Sequence, residues 1–501
     1  MFQGTGSGVG KSLVVAALCR LLHREGFKVA PFKSQNMALN SFVTLDGREM
    51  GRAQVYQAEA CGLLPDVRMN PILLKPSADS RSQVILNGLP CGDLSARHYY
   101  RRSKTHWDVV KKAYDSLSEE FDFIVIEGAG SPAEINLQKT DIVNMRVADY
   151  ADAPVIIVGD IDRGGVFAWL KGTYDLVRPE YRHRIAGFLI NKFRGDVSLL
   201  EPGLVQMNDI VPVPFVGVLP WMNDLMVDQE DGVFIKELES NRPSDIVVKI
   251  VKLGRISNFT DFLALSFEPD VALQFVSDPD ELSDADLIIL PGTKATVTDC
   301  KWLCDRGWRS ALRHLVENGM VLFGICGGYQ ILGSSINDPS GSECGINYVS
   351  GLDMLPIETV MQEHKTLRLK TASIDMSGLA SLLGVDSDLS GFLTVQGYEI
   401  HMGETRACSD VAPLFRDDGV ELGAASPDLP VIGTYMHGIF DNDIFRRNFL
   451  DLLRLRKGLA PLRQVISYQS LRQEQFERLA DWFKDHTDIH NILRLLDIAG
   501  D

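Results

Sequence analysis

The chain has no apolar run long enough to cross a membrane, and no charged segment followed by a short apolar one opens it. A membrane partner is therefore not expected, and a cytoplasmic location is. Positive charge is also short, with 50 lysines and arginines against 67 aspartates and glutamates and a formal net charge of −17 over 501 residues. Phosphate backbones demand a basic surface, so a nucleic-acid partner is not expected either. An anionic small molecule would still need its own local cations. The eight cysteines, at 19, 61, 91, 300, 304, 326, 344 and 408, have neither paired zinc spacing nor the density of a disulfide framework. Cys300 and Cys304 are expected on one helical face rather than around a metal. What the chain has is core: 45% of its residues are hydrophobic. Its length exceeds one ordinary core, so two or three domains are expected.

The most informative stretch is Gly4-Thr5-Gly6-Ser7-Gly8-Val9-Gly10-Lys11-Ser12, followed at once by an apolar helical run over 13–22. Glycines let successive backbone N–H groups face an anion, and the helix adds its positive N-terminal end. Lys11 reaches terminal phosphates, and the Ser12 hydroxyl can ligate Mg²⁺. Five residues separate Gly4 from Gly10 where the common phosphate-loop pattern has four. That offset resembles the dethiobiotin-synthetase-like branch of P-loop proteins. The expected ATP contacts are Thr5, Gly8, Gly10, Lys11, Ser12 and Asn191, the last placed where related P-loop proteins seat the base.

Short apolar runs alternating with helical patterns predict a parallel sheet covered by helices, with strands near 28–32, 122–126, 154–158, 185–190 and 215–219. Only three residues precede Gly4, so the strand feeding the loop is expected to be stunted or completed by residues outside this sequence. Glu127, in Glu127-Gly128-Ala129-Gly130 at a strand's carboxyl end, is either a Mg²⁺ partner with Ser12 or an acid capping a helix. Asp160-Ile161-Asp162-Arg163-Gly164-Gly165 repeats the arrangement after the next strand. Lys33, Asn36, Arg52 and Lys75 lie in polar runs at or after strand ends, where open α/β sheets hold ligands, and together make a candidate substrate floor.

A polar stretch near 239–244 marks a linker. A second alternation follows, with strands over 246–253, 285–290 and 320–325, the last running into Gly324-Ile325-Cys326-Gly327-Gly328-Tyr329-Gln330. A nucleophile among small residues at a strand-to-helix turn is an elbow, and the helix N-terminus favours the thiolate. Cys326 is the candidate nucleophile, and backbone N–H groups of Gly292 and Gly327 are the candidate oxyanion hole. The base is His437, in Tyr435-Met436-His437-Gly438, with His401 as competitor. The tail beyond 459 has apolar residues at helical spacing and reads as a helix covering the second domain.

On these motifs, with Lys33-Ser34-Gln35-Asn36-Met37, Met69-Asn70-Pro71, Asn191-Lys192-Phe193-Arg194-Gly195 and Ser257-Asn258-Phe259-Thr260-Asp261-Phe262, the carboxyl half resembles a class I glutamine amidotransferase domain. The whole chain resembles the cobyric acid synthase family, which is grouped with cobyrinic acid a,c-diamide synthase. The resemblance implies domains over 1–240 (ATP-dependent amidoligase), 245–456 (glutamine amidotransferase) and 457–501 (helical extension). It implies ATP- and glutamine-dependent amidation, with ammonia as alternative nitrogen source. The substrate implied is adenosylcobyrinic acid a,c-diamide, amidated at its b, d, e and g carboxylates. Commoner amidotransferases carry a glutamate two residues after the histidine; here Ile439 stands there, leaving open what orients His437. Two rival readings are a P-loop ATPase switch, which would need neither Cys326 nor His437, and a different glutamine-dependent ligase.

Overall fold

The computed structural model describes residues 1–78, 81–222, 239, 243–341, 343, 345–417 and 420–495. The chain divides into two compact units, one of residues 1–38, 49–230 and 470–501, the other of 39–48 and 231–469.

In the first unit the parallel strands Phe2–Gly4, Val155–Asp160, Ile185–Phe193 and Phe215–Pro220 neighbour one another in that order. The parallel pair Val29–Phe32 and Phe123–Ile126 joins them through a bridge between Phe2 and Glu127. Val155–Asp160 is buried at every residue, which is why it reads as a continuous apolar run rather than an alternation. The leading strand, Phe2–Gly4, is held by full pairing of Phe2, Gln3 and Gly4 with Ile156, Ile157 and Val158. Because the strands run parallel, Gly4, Glu127, Asp160 and Asn191 all arrive at the same, carboxyl, edge of the sheet.

A smaller sheet of Gln35–Met37, Ile72–Ala78, Arg81–Leu86 and Leu89–Ser95 is appended, a feature the polar-loop reading of these segments did not anticipate. Its last hairpin turns on Asn87-Gly88, both at positive φ (48° and 77°), the pair that fits the twist of a tight hairpin.

The helical tail differs from expectation. Helix Tyr468–Asp485 carries Phe476, Leu479, Ala480, Trp482 and Phe483 into the core of the first unit, among Phe2, Val14, Leu18 and Val158. It does not cover the second domain. Helical periodicity shows that a face is buried but not which sheet receives it. Residues 39–48 likewise leave the first unit for the second, so the polar run beginning at Lys33 does not form one floor.

In the second unit the sheet runs Val271–Val276, Ile246–Val251, Leu287–Leu290, Val321–Ile325, Val431–Thr434 and Gly423–Ala425, parallel except for the last strand. Strands 271–276 and 431–434 were not expected from the sequence, and the second of these delivers His437. A long antiparallel ribbon pairs Ile357–Asp375 with Phe392–Ala407. Cys300 and Cys304 share helix Thr296–Asp305, as their spacing predicted.

Candidate functional site

In the first unit the phosphate loop is held from several sides. Gly8 and Gly10 sit at φ 71° and 95°, and a Cβ on Gly10 would stand 2.2 Å from Asn191 Nδ2, so only glycine fits there. Asn191 donates to Val9 O at 2.9 Å and accepts from Lys192 N, which makes its amide a brace for the loop. Lys192 spans Gly8 O (2.7 Å) and Asp160 Oδ2 (2.8 Å). Thr5 is tied to the sheet through its N–H to Val158 O. Lys11 opens helix Lys11–Arg24 and curls back to Gly6 O at 2.9 Å and Gly130 O at 3.3 Å, across the mouth of the loop.

Behind the loop Glu127 is a hub. Its Oε1 accepts from Ser12 Oγ at 2.8 Å and Lys33 Nζ at 2.9 Å, and its Oε2 from Gln57 Nε2 at 2.6 Å. Burial alone would push the carboxyl up, but Lys33, Gln57 and Lys11 outweigh it and hold Glu127 below the usual carboxylate range, hence ionised. The reading of Glu127 as a helix cap does not hold, since its oxygens meet side chains. Lys33 belongs with this hub rather than on a separate floor. Lys75 is paired with Glu49 at 2.9 Å, both side chains buried, and Asn36 donates to Gln54 at 2.7 Å. Arg52 is buried at the start of helix Arg52–Ala60.

Ser12 and Glu127 offer one hydroxyl and one carboxylate 2.8 Å apart. Among the described residues no group of three or more metal-ligating side chains exists. This hard, sparse oxygen set suits Mg²⁺, which takes one or two protein oxygens and fills its octahedron with phosphates and water.

In the second unit Cys326 sits at φ 51°, ψ −107°, a strained conformation for a residue with a side chain, between strand Val321–Ile325 and helix Gly327–Leu332. Its N–H is bonded to Thr434 O at 2.8 Å, which locks the elbow to the strand that leads to His437. A Cβ on Gly328 would lie 2.0 Å from Leu290 O, so the helix can approach the neighbouring strand only with glycine there. Gly327 lies against Thr293, and Gly292 against His437, whose Cε1 would be 2.9 Å from a Cβ at that position.

His437 is fully buried and hydrogen-bonded to Cys326. Its Nδ1 stands 2.7 Å from Asp261 Oδ2, while Asp261 Oδ1 accepts the Gly438 N–H at 2.9 Å. Burial opposes the imidazolium, yet Asp261 and Cys326 together push His437 up to about 10. Tyr398 stacks on the imidazole at 5.3 Å, and a reciprocal backbone pair links residues 398 and 437. The carboxylate absent at position 439 is thus supplied by Asp261, on the turn Phe259–Phe262. Sequence reasoning quoted the motif containing Asp261 without giving it a role. Its signal was an acid in a largely apolar turn, 176 positions before His437 in the chain. His401, the competing base, instead stacks on Tyr435 and bonds to Gly403 O through Nδ1.

A nucleotide-binding parallel sheet joined in one chain to a Cys–His–Asp elbow on a second α/β sheet defines a glutamine-dependent amidating ligase. Residues 1–233 match the CobQ/CobB/MinD/ParA nucleotide binding domain, and residues 247–445 the CobB/CobQ-like glutamine amidotransferase domain. Cobyric acid synthase of Klebsiella pneumoniae (strain 342) is 47% identical over 99% of this chain and 97% of its own. That of Carboxydothermus hydrogenoformans is 47% identical over 99% of both chains, and that of Salmonella heidelberg 46% over 99% and 98%. The chain belongs to the cobyric acid synthase family, ATP-dependent ligases that carry out amidations of cobalamin biosynthesis. Among the described residues no helix is long and apolar enough to cross a membrane.

Proposed function

We propose that the chain amidates the b, d, e and g carboxylates of adenosylcobyrinic acid a,c-diamide, using MgATP and L-glutamine, to give cobyric acid. The observation that carries the nitrogen half is the Asp261–His437–Cys326 line: a carboxylate 2.7 Å from one imidazole nitrogen, with the histidine bonded to the thiol. Cys326 attacks the glutamine amide carbonyl, and the oxyanion is met by the N–H groups of Gly292 and Gly327. His437 gives its proton to the departing ammonia and then takes one from the water that releases glutamate. Asp261 fixes the tautomer and favours the imidazolium.

In the first unit a substrate carboxylate takes the γ-phosphoryl of ATP, because a carboxylate oxygen is otherwise too poor a leaving group for ammonia to displace. Lys11 offsets charge on the transferring group, and the loop N–H groups and the helix N-terminus hold the phosphates. Ser12 and Glu127 would hold Mg²⁺, which supplies charge neutralisation on the phosphates. Arg52, Asn36 and Lys75 remain the proposed corrin contacts.

Mass spectrometry of the corrinoid after incubation of purified protein with MgATP and glutamine tests the reading directly. Four mass shifts of amidation are expected from the a,c-diamide; an unchanged a,c-diamide, with amidation of the a and c positions when cobyrinic acid is supplied instead, would overturn it.

A further inference from the structure

The strand Phe392–Ala407 passes the nucleophile, and apart from Tyr398, which stacks on His437, its side chains have no part in the chemistry above. Cys326 Sγ lies 3.4 Å from Ile400 O. The residues on either side, Glu399 and His401, point to the strand face opposite Ile400 and flank that contact. Glu399 is buried, with 4% exposure, and the His401 side chain is largely so, with 10%.

His401 lies flat on Tyr435, with ring centroids 3.7 Å apart, and its Nδ1 bonds to the carbonyl of Gly403 at 2.8 Å. A carbonyl can only accept, so Nδ1 carries a proton, and Nε2 is an acceptor whenever the ring is neutral. No hydrogen-bond partner meets Nε2 among the described residues. Glu399 Oε1 stands 3.7 Å from it. The hydroxyl of Tyr435, the residue His401 stacks on, is already engaged with Gln330, Thr405 and Gly403. His401 Nε2, buried with no hydrogen-bond partner among the described residues, thus faces the Glu399 carboxylate on the strand that touches the thiol, and a donor entering between them would satisfy both. On the outer side Arg368, more than half exposed, reaches Glu399 Oε2 at 3.1 Å from the paired strand.

We infer that Glu399 and His401 form the subsite for the α-ammonium group of glutamine, with Arg368 taking its α-carboxylate. A cationic donor satisfies both acceptors at once. An α-amino acid presents opposite charges on a single carbon, which an adjacent carboxylate and guanidinium complement. The contact of Ile400 O with Sγ sets the strand that carries this head-group site against the nucleophile, where the amide carbonyl must arrive. The inference rests on the glutamine chemistry proposed for Cys326 and adds the source of its selectivity.

The test compares hydrolysis of L-glutamine with that of 4-carbamoylbutanoate, the same molecule without the amino group, by the full-length protein. A site built to bond a substrate group rejects the analogue lacking it strongly, so the wild type should favour glutamine in kcat/KM by about 10²-fold or more. In Glu399→Gln that preference should fall to within about threefold of unity, mainly through a higher KM for glutamine. A preference unchanged in Glu399→Gln, or an equal loss on both substrates, would overturn the subsite. Arg368→Ala, at a largely exposed position, provides a second arm. It should raise KM for glutamine while leaving 4-aminobutanamide, which lacks the α-carboxylate, unaffected; equal effects on both would also overturn the assignment. The rate of Cys326 alkylation by iodoacetamide, which has no amino-acid head, separates the two levels: a wild-type protein without a reactive Cys326 would instead refute the underlying glutamine chemistry.

Discussion

In the proposed reaction one buried pair, Asp261 and His437, would govern the proton transfers. The imidazole needs its Nδ1 proton held away from the thiol so that the other nitrogen can serve Cys326, and Asp261 does this at 2.7 Å. Asp261→Asn preserves shape but offers an amide that can stabilise the wrong tautomer. It should lower glutamine hydrolysis by about 10²- to 10⁴-fold, read as glutamate release, and leave ammonia-dependent amidation in place. Loss of both activities would contradict a role confined to the histidine. The same pair predicts a pH dependence of stability. Since His437 titrates near 10 in the folded protein, above its ordinary 6.5, its contribution to folding is complete below about pH 6.5 and is lost as pH rises toward 10. The difference in Tm between wild type and His437→Gln should therefore shrink over that interval; a difference that grows with pH would refute the charged pair.

At the scale of elements, two backbone devices matter most. The elbow depends on close approach of helix Gly327–Leu332 to strand Leu287–Leu290, and Gly328→Ala would place a methyl 2.0 Å from a backbone carbonyl. The strain should destabilise the second unit by about 3 kcal/mol, the upper part of the overpacking range, seen as a lower urea midpoint. The tail helix is the second device. Phe483, fully buried with its ring centroid 6.3 Å from that of Phe2, should cost about 3–5 kcal/mol when changed to Ala, in the unfolding of the first unit, while glutamine hydrolysis at Cys326 persists. Parallel loss of glutamine hydrolysis would contradict the tail's assignment to the first unit.

These elements also show what was legible in the sequence. The strands ending at Ile126, Asp160 and Ile325 announce themselves as unbroken apolar runs because both faces of a parallel sheet are covered. The loop and the elbow are legible because their glycines answer to local backbone needs. Asp261, the tail's destination and the transfer of residues 39–48 to the second unit are not, because each depends on which distant segment completes the packing. The hairpin at Asn87-Gly88 carried a local signal that was passed over, hidden among the prolines and polar residues of its surroundings.

For the whole molecule, the proposed function divides into activation of the carboxylate in one unit and production of ammonia in the other. Lys11→Ala removes the charge that faces the transferring phosphoryl, so amide formation from either nitrogen source should fall to background. Near wild-type amidation by this variant would move the phosphoryl site away from the loop. The reciprocal substitution is the most direct measurement. Cys326→Ala lacks the nucleophile but retains Lys11, Ser12 and Glu127, and it should lose glutamine-dependent synthesis by several orders of magnitude. With ammonium chloride at high pH, where free ammonia is abundant, the same protein should form amides at close to the wild-type ammonia-dependent rate. Retained synthesis from glutamine, or loss of synthesis from both nitrogen sources in a folded Cys326→Ala protein, would contradict the account.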